Sequence, residues 1–303
     1  VSRSLTVNVE SDFDLVLAGD LHTGSVFFNE DGVKSMVDDI QNAQVPTYCI
    51  LMGDYIEGHP TSHDHHEFEL LDIQKPLDQL EHATSLLEPI QDNILGILRG
   101  NHDKMVLDTV SPIRDRMCHD LESPYLSGQH FVMMKTPNGG VGAHVQHKGR
   151  RIPKSSNSDA KKHGGRYYTI MRRFSEPQDQ AASASIVATG HTHESAVFGP
   201  PDRSKHKLLD DEVEEEMTWV EHGASTSEQH DGRHRFVDPC ERWYAKSGTF
   251  RDTTMVPDEL PAHAVDDYSL DMGVSAQPSA YTKFSVRSGE VLSGEVVYPQ
   301  TEH

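Results

Sequence analysis

A chain of 303 residues is long enough for one large domain, or one domain with an insertion, and its motifs run on without an intervening linker. The formal charge of −21, from 27 basic against 48 acidic residues, indicates a hydrated, self-repelling surface and argues against broad non-specific attraction to nucleic acid. Three cysteines (Cys49, Cys118 and Cys240) without a pairing pattern argue against a disulfide framework. No apolar run is long enough to span a bilayer and no signal-peptide pattern is present, so a cytoplasmic location without membrane partners is the expectation.

Taken in chain order, the apolar run 13–18 reads as a strand and ends on Gly19-Asp20-Leu21-His22. Val33, Met36, Val37 and Ile40 recur at helical spacing and predict a helix over 33–43. A second strand, 47–52, ends on Gly53-Asp54-Tyr55-Ile56-Glu57-Gly58. The tract that follows, with His59, His63, His65 and His66, reads first as an irregular loop near the site, with a substrate gate or an accessory metal site as other readings. Leu77, Leu80, Ala83, Leu86 and Leu87 predict a helix over 76–90, and the run 93–98 a third strand ending on Gly100-Asn101-His102-Asp103. A strand over 141–147 carries His144 and His147, and a strand over 184–189 ends on Gly190-His191-Thr192-His193. Beyond it lies an acidic stretch at about 200–218, including Asp210, Asp211, Glu212, Glu214, Glu215 and Glu216, which reads as an exposed insertion between strands. Strands resume at 220–225 and 243–250, and 281–286 with 290–298 form a hairpin around Arg287-Ser288-Gly289 that closes a second sheet.

Apolar runs closed by glycine are strands buried on both faces, and their alternation with helices is an α/β layout. Sites in such layouts lie beyond the carboxyl ends of the strands, so islands far apart in sequence are expected to converge. No folding requirement calls for Asp, Asn or His directly beside glycine at the end of several strands. A metal site does: carboxylate and amide oxygens mixed with imidazoles suit manganese, iron or zinc, and none of the five islands contains Cys. Glycine there lets the backbone turn sharply and approach a ligand closely.

The order Asp-x-His, Gly-Asp, Gly-Asn-His-Asp, His, Gly-His-x-His resembles the signature of the calcineurin-like metallophosphoesterase family, over residues 20–193. The resemblance implies two mixed β-sheets packed face to face and flanked by helices, in four layers, with the whole of 1–303 as a single domain. It implies two divalent metal ions, Mn²⁺ favoured and Fe or Zn the alternatives. Asp20, His22 and His193 would bind the first ion, Asp54 would bridge both, and Asn101, His191 and a histidine of the fourth island would bind the second. His144 and His147 lie three apart and point to opposite faces of their strand. His147 is preferred because Lys148-Gly149 ends the strand there, with His144 in reserve. A bridging hydroxide would attack phosphorus between ions roughly 3.5–4 Å apart. His102 resembles the family's acid for the leaving oxygen, Glu57 is the carboxylate that would orient it, and Asp103 caps the turn or positions the loop.

The charge balance inverts after His147. Lys148, Arg150, Arg151, Lys154, Lys161, Lys162, Arg166, Arg172 and Arg173 stand against Asp159 alone, with Tyr167, Tyr168 and Phe174 among them. Such a stretch suits a phosphate-rich substrate, and Lys148, Arg150, Arg151, Lys161, Lys162 and Arg166 are the candidate substrate contacts, with DNA or RNA as possible partners. The bland reading is a loop that balances nearby acidic segments. The expected function is therefore metal-dependent hydrolysis of phosphodiesters in nucleic acid or nucleotides. A phosphomonoesterase or protein phosphatase is the alternative, and a non-catalytic binding protein on the same fold stands behind both.

Overall fold

The glycine-closed apolar runs build the centre of two sheets in the computed structural model, which describes residues 4–58, 70–105, 113–148, 183–200, 237, 241–254 and 278–300. Twelve strands follow in chain order: β1 (Ser4–Asn8), β2 (Phe13–Ala18), β3 (Thr47–Leu51), β4 (Ile94–Leu98), β5 (Tyr125–Ser127), β6 (Gln129–Thr136), β7 (Gly139–Gln146), β8 (Ile186–Thr189), β9 (Ser195–Phe198), β10 (Trp243–Ser247), β11 (Tyr281–Arg287) and β12 (Glu290–Val297). One sheet has the order β12-β11-β2-β3-β4-β5 and the other β1-β6-β7-β8-β10-β9. Both are mixed. In the first, β2 to β5 run parallel and the β11–β12 hairpin is added antiparallel. In the second, β7, β8 and β10 run parallel beside the antiparallel pairs β6–β7 and β9–β10.

Strand alternation sorts the side chains into two layers of core. Phe13, Leu15 and Leu17 of β2 point toward the second sheet and pack with Val132, Val141, Ala143, Val145, Ile186 and Ala188. Their neighbours Val16 and Ala18 face the other way, with Cys49, Leu51 and Ile97, onto two helices. These are α1 (Glu30–Gln41), which buries Val33, Met36, Val37 and Ile40, and α2 (Pro76–Leu87), which buries Leu80, Ala83 and Leu87. The Asn29 side chain caps α1 by accepting from the Gly32 N–H at 2.8 Å, and Pro76 opens α2, where its missing donor costs nothing. Among the described residues no helix covers the outer face of the second sheet, so three of the four expected layers are on view.

Element boundaries differ from expectation in three informative ways. The second helix stops at Leu87 and passes into a 3₁₀ turn, Glu88–Asn93, because Pro89 cannot continue the ladder. β10 ends at Ser247, and Gly248 (φ 84°) turns the chain so that 249–251 leave the sheet. β1, β5, β6 and β9 were not anticipated; β1 and β9 are edge strands whose burial is partial and whose pattern is weak. The strand expected over 220–225 and the acidic stretch at 200–218 lie outside the described residues, apart from the exposed Pro200. No helix among the described residues is long and apolar enough to cross a membrane.

The β2–β11 seam carries a part-buried ionic cluster. Asp14 lies 3.0 Å from Lys283 Nζ and 2.9 Å from Arg287 Nη1. Burial alone would raise the Asp14 pKa, but these two cations and their hydrogen bonds outweigh it and hold it below its ordinary 3.8. A depressed carboxylate stabilises the fold above its unfolded pKa, and that contribution is lost as pH falls through the folded one. Asp14→Asn is therefore expected to lower the melting temperature at neutral pH, with the difference from wild type closing as pH drops below 3.8 in a melting series. A pH-independent difference would contradict the ionic account.

Candidate metal centre

The carboxyl ends of β2, β3, β4, β7 and β8 meet at one pole of the sandwich, where the two sheets adjoin. The loops after β2 and β3 continue the parallel pairing of their strands. Asp20 N–H donates to Gly53 O (2.8 Å), His22 N–H to Asp54 O (3.1 Å), Thr23 N–H to Tyr55 O (3.0 Å) and Glu57 N–H back to Thr23 O (3.1 Å). This ladder sets Asp20, His22, Asp54 and Glu57 in fixed register. The loop after β4 is tied on by Asp103, whose buried carboxylate accepts from the N–H groups of Gly100 (2.7 Å), Asp54 (2.9 Å) and Tyr55 (2.9 Å). Burial and the neighbouring Asp54 push the Asp103 pKa up to about 6. Gly100 is obligatory beside it, since a Cβ there would run into Asp54 Oδ1.

Three overlapping groups of donor atoms result, each within 4.8 Å: Asp20, His22 and His193; His22, Asp54 and His102; and Asp54, His147 and His191. Asn101 joins the last through its Oδ1, 3.0 Å from His147 Nε2. All seven expected ligands are thus brought together, with His102 between the two halves. Asp20, His22, Asp54, His102, His147 and His193 are buried. His144 is not among them. It shares a row with Phe131 and Val187, which pack on the outer face of the second sheet, while His147 lies just past the end of β7 and 3.0 Å from Asp54 Oδ2. Face parity along the strand separates the two histidines.

The imidazoles are held by their other nitrogens. His147 Nδ1 donates to Met52 O (2.8 Å) and His22 Nδ1 to the Glu57 carboxylate (2.9 Å), so in both rings Nε2 faces the centre. His102 Nδ1 donates to the main-chain carbonyl of Glu57 (2.7 Å), while the Glu57 carboxylate stands 4.0 Å from that nitrogen. The main-chain oxygen of Glu57 thus bonds His102, while its carboxylate, the group expected to orient that ring, lies closer to His22.

Charge at the centre is balanced by these contacts. Burial raises the pKa of Asp54, but the positive charges of His147 and His102 outweigh it and the result lies well below the carboxylate range. Burial works against protonation of His147, yet Asp54 raises its pKa to about 10. Burial pushes Asp20 up to about 7. Burial also lowers His191 to about 4, aided by His147, and holds His193 well below its usual value, aided by His22 and Arg251. Neutral imidazoles of this kind are the form that ligates metal, and cation binding would release the His147 proton.

These residues fit a pair of divalent cations on independent grounds. His22 Nε2 and His193 Nε2 face one another at 2.9 Å, and His191 Nδ1 is buried with no hydrogen-bond partner. Eight non-glycine residues among those described have positive φ, and five of them are Asp20 (50°), His22 (54°), Asp54 (53°), His191 (74°) and His193 (54°). Strained backbone at five of the seven candidate ligands marks a function that the fold over-determines. The donors are oxygens and imidazoles, whereas the free thiols Cys49 and Cys118 are buried elsewhere.

The candidate ligands therefore converge as the sequence resemblance led one to expect. No protein-family model matches the chain, and no curated protein matches it. Solved structures do match. A 5'-nucleotidase precursor from Thermus thermophilus is 9% identical, with 94% of this chain and 54% of that one covered and a TM-score of 0.37. The sulfate thiohydrolase SoxB of T. thermophilus, in complex with glycerol, is 7% identical, with 97% and 57% covered and a TM-score of 0.43. The NAD nucleotidase of Haemophilus influenzae is 8% identical, with 94% and 49% covered and a TM-score of 0.41. The chain spans about half the length of these proteins, and likeness of that degree fixes no activity.

Of the candidate substrate contacts, Lys148 is exposed directly after His147; Arg150, Arg151, Lys161, Lys162 and Arg166 lie outside the described residues, as does the 59–66 tract. Sequence reasoning missed the segment after β10. Thr249 Oγ1 and Phe250 N–H both donate to Asp20 O (2.8 and 3.0 Å), and Arg251 is buried beside Phe27, its charge felt at His193. Its signal was weaker than that of the islands, because the strand that Gly248 closes ends in the polar pair Lys246-Ser247. Asp103→Ala strands three buried N–H groups and is expected to lower the unfolding free energy by about 3 kcal/mol in urea titrations, with less metal retained on gel filtration. Wild-type stability in that variant would refute the clamp.

Proposed function

We propose that this chain hydrolyses phosphate esters with two divalent cations, as a single domain over 1–303. The observation that carries the reading is the convergence of Asp20, His22 and His193 on one side of Asp54 and of His147, His191 and Asn101 on the other. In this reading Asp20, His22 and His193 hold one cation, Asn101, His147 and His191 the other, and Asp54 lies within reach of both. Mn²⁺ is the preferred ion on the donor set, with Fe or Zn as alternatives. When bound, such a pair supplies a water acidic enough to act as nucleophile at neutral pH and neutralises charge on the phosphoryl oxygens.

The residues around the cations do the rest. His102 keeps one proton on Nδ1, because the Glu57 carbonyl can only accept, so its exchangeable proton sits on Nε2. Burial disfavours charge on this ring, but Asp54 and Glu57 outweigh it and hold its pKa above the usual value. In this reading a charged His102 gives the Nε2 proton to the leaving oxygen. Asp54 holds the His102 loop through its Oδ1, which accepts from the His102 N–H at 2.8 Å. Asp54→Asn is expected to abolish hydrolysis of a chromogenic phosphodiester and to reduce bound Mn²⁺. His102→Ala is expected to keep its metal and to slow turnover by about 10²–10⁴. Unchanged turnover in the first, or metal loss in the second, would contradict these roles.

Within this class we favour phosphodiesters of nucleic acid or nucleotides. Support comes from the run of nine basic residues from Lys148 to Arg173, which begins at the candidate ligand His147 in an otherwise acidic chain. Lysine and arginine there would meet backbone phosphates, with tyrosines available to stack on bases. Charge reversal at Arg150, Arg151, Lys161 and Lys162 is expected to weaken oligonucleotide binding and to flatten its salt dependence. Unaltered affinity, with activity confined to monoesters, would favour the phosphomonoesterase reading.

A further inference from the structure

Glu57 touches two histidines through two different groups, and the division of labour between them is unequal. Its residue is buried, and its Oε2 lies 2.9 Å from His22 Nδ1. Its main-chain oxygen lies 2.7 Å from His102 Nδ1. The residue has little freedom to exchange these roles. Its N–H is bonded to Thr23 O at 3.1 Å, and the next N–H, of Gly58, donates at 3.0 Å to Gln79 Oε1 of α2. Gln79 is in turn anchored to Ile73 O at 2.6 Å. Glu57 is therefore pinned from both sides with its carboxylate aimed at His22.

An ionised carboxylate only accepts, so the His22 proton resides on Nδ1 and the lone pair on Nε2. That Nε2 faces His193 Nε2 at 2.9 Å, in the group that includes Asp20. We propose that Glu57 is a positioning residue for His22: its carboxylate holds the Nδ1 proton, turns the Nε2 lone pair toward the cation shared with Asp20 and His193, and makes that nitrogen more basic. The main-chain carbonyl of the same residue sets the His102 tautomer independently of the side chain. This rests on the cation-binding reading above and reassigns the Glu57 carboxylate from the acid His102 to the ligand His22. A carboxylate behind a ligating imidazole strengthens the ligand and fixes its orientation, and its loss weakens metal affinity about 10–100-fold.

The test compares wild type, Glu57→Ala and Glu57→Gln as full chains, using Mn²⁺ titration calorimetry, electron paramagnetic resonance of the loaded proteins, and phosphodiester turnover across Mn²⁺ concentrations. Glu57→Ala is expected to bind one of two Mn²⁺ ions about 10–100-fold more weakly. It should show the signal of isolated Mn²⁺ where wild type shows a coupled pair, and it should regain turnover as Mn²⁺ is raised. Glu57→Gln keeps an acceptor for the Nδ1 proton without the charge, so it should fall between the two. Being isosteric, it also keeps the comparison decisive if the alanine variant does not fold. Wild-type Mn²⁺ affinity in both variants, with turnover lowered about 10²–10⁴ at every Mn²⁺ concentration, would return the carboxylate to His102 and overturn the proposal. Wild-type affinity with wild-type turnover would overturn it too. A wild-type chain that binds no Mn²⁺, Fe²⁺ or Zn²⁺ would instead overturn the cation-binding reading on which the proposal stands.

Discussion

Asp54 is a carboxylate with almost no contact with water, and much of the surrounding structure serves to keep it ionised. A lone buried carboxylate takes up a proton rather than bear its charge in a medium of low polarity. Here the His102 N–H donates to one oxygen and the His147 ring faces the other. The Asp103 carboxylate grips the adjacent N–H groups of Asp54 and Tyr55, and Gly100 leaves the space that any side chain would fill. Remove the counter-charge and Asp54 is driven toward its protonated form. A cation at this pole resolves the same imbalance from the other direction, which links the electrostatics of the fold to the chemistry proposed for it.

The β-sandwich contributes by being rigid where the ligands are attached. Each candidate ligand lies one to four residues beyond a buried strand end, and strands packed between two sheets cannot shift without disturbing both layers of core. Those short distances are spanned by backbone in the left-handed region at Asp20, His22, Asp54, His191 and His193. Side chains at such positions are strained, so the conformation persists only because the ladder between the first two loops, the Asp103 clamp and the Thr249–Phe250 contacts to Asp20 hold it. The stability of the sheets is in this sense spent on geometry at one pole.

Much of the architecture was legible beforehand because its signals are local. An apolar run of five or six residues closed by glycine predicts a buried strand wherever it occurs, which is why β2, β3, β4 and β8 were readable, while the β11–β12 hairpin was marked by its Arg287-Ser288-Gly289 turn. The edge strands β1 and β9 were not, since half-exposed strands carry no such run. Helix α1 was evident from Val33, Met36, Val37 and Ile40, whereas the early end of α2 depends on Pro89, one residue in a pattern that otherwise continues.

Residue chemistry beside glycine, repeated at four strand ends, pointed to a metal site, and the family resemblance it supported implied Asp20, His22, Asp54, Asn101, His191 and His193 as ligands, because donor type and turn geometry are properties of short segments. The sequence alone also narrowed the fourth island to His144 or His147. Which of them stands beside Asp54 depends on the face each presents across the sheet. That the Glu57 carboxylate reaches His22 while its carbonyl reaches His102, and that Thr249 and Phe250 close over Asp20, follows from how loops 35 to 230 residues apart are registered against one another. Contacts of that kind are set by strand register and sheet packing, which no short segment encodes by itself.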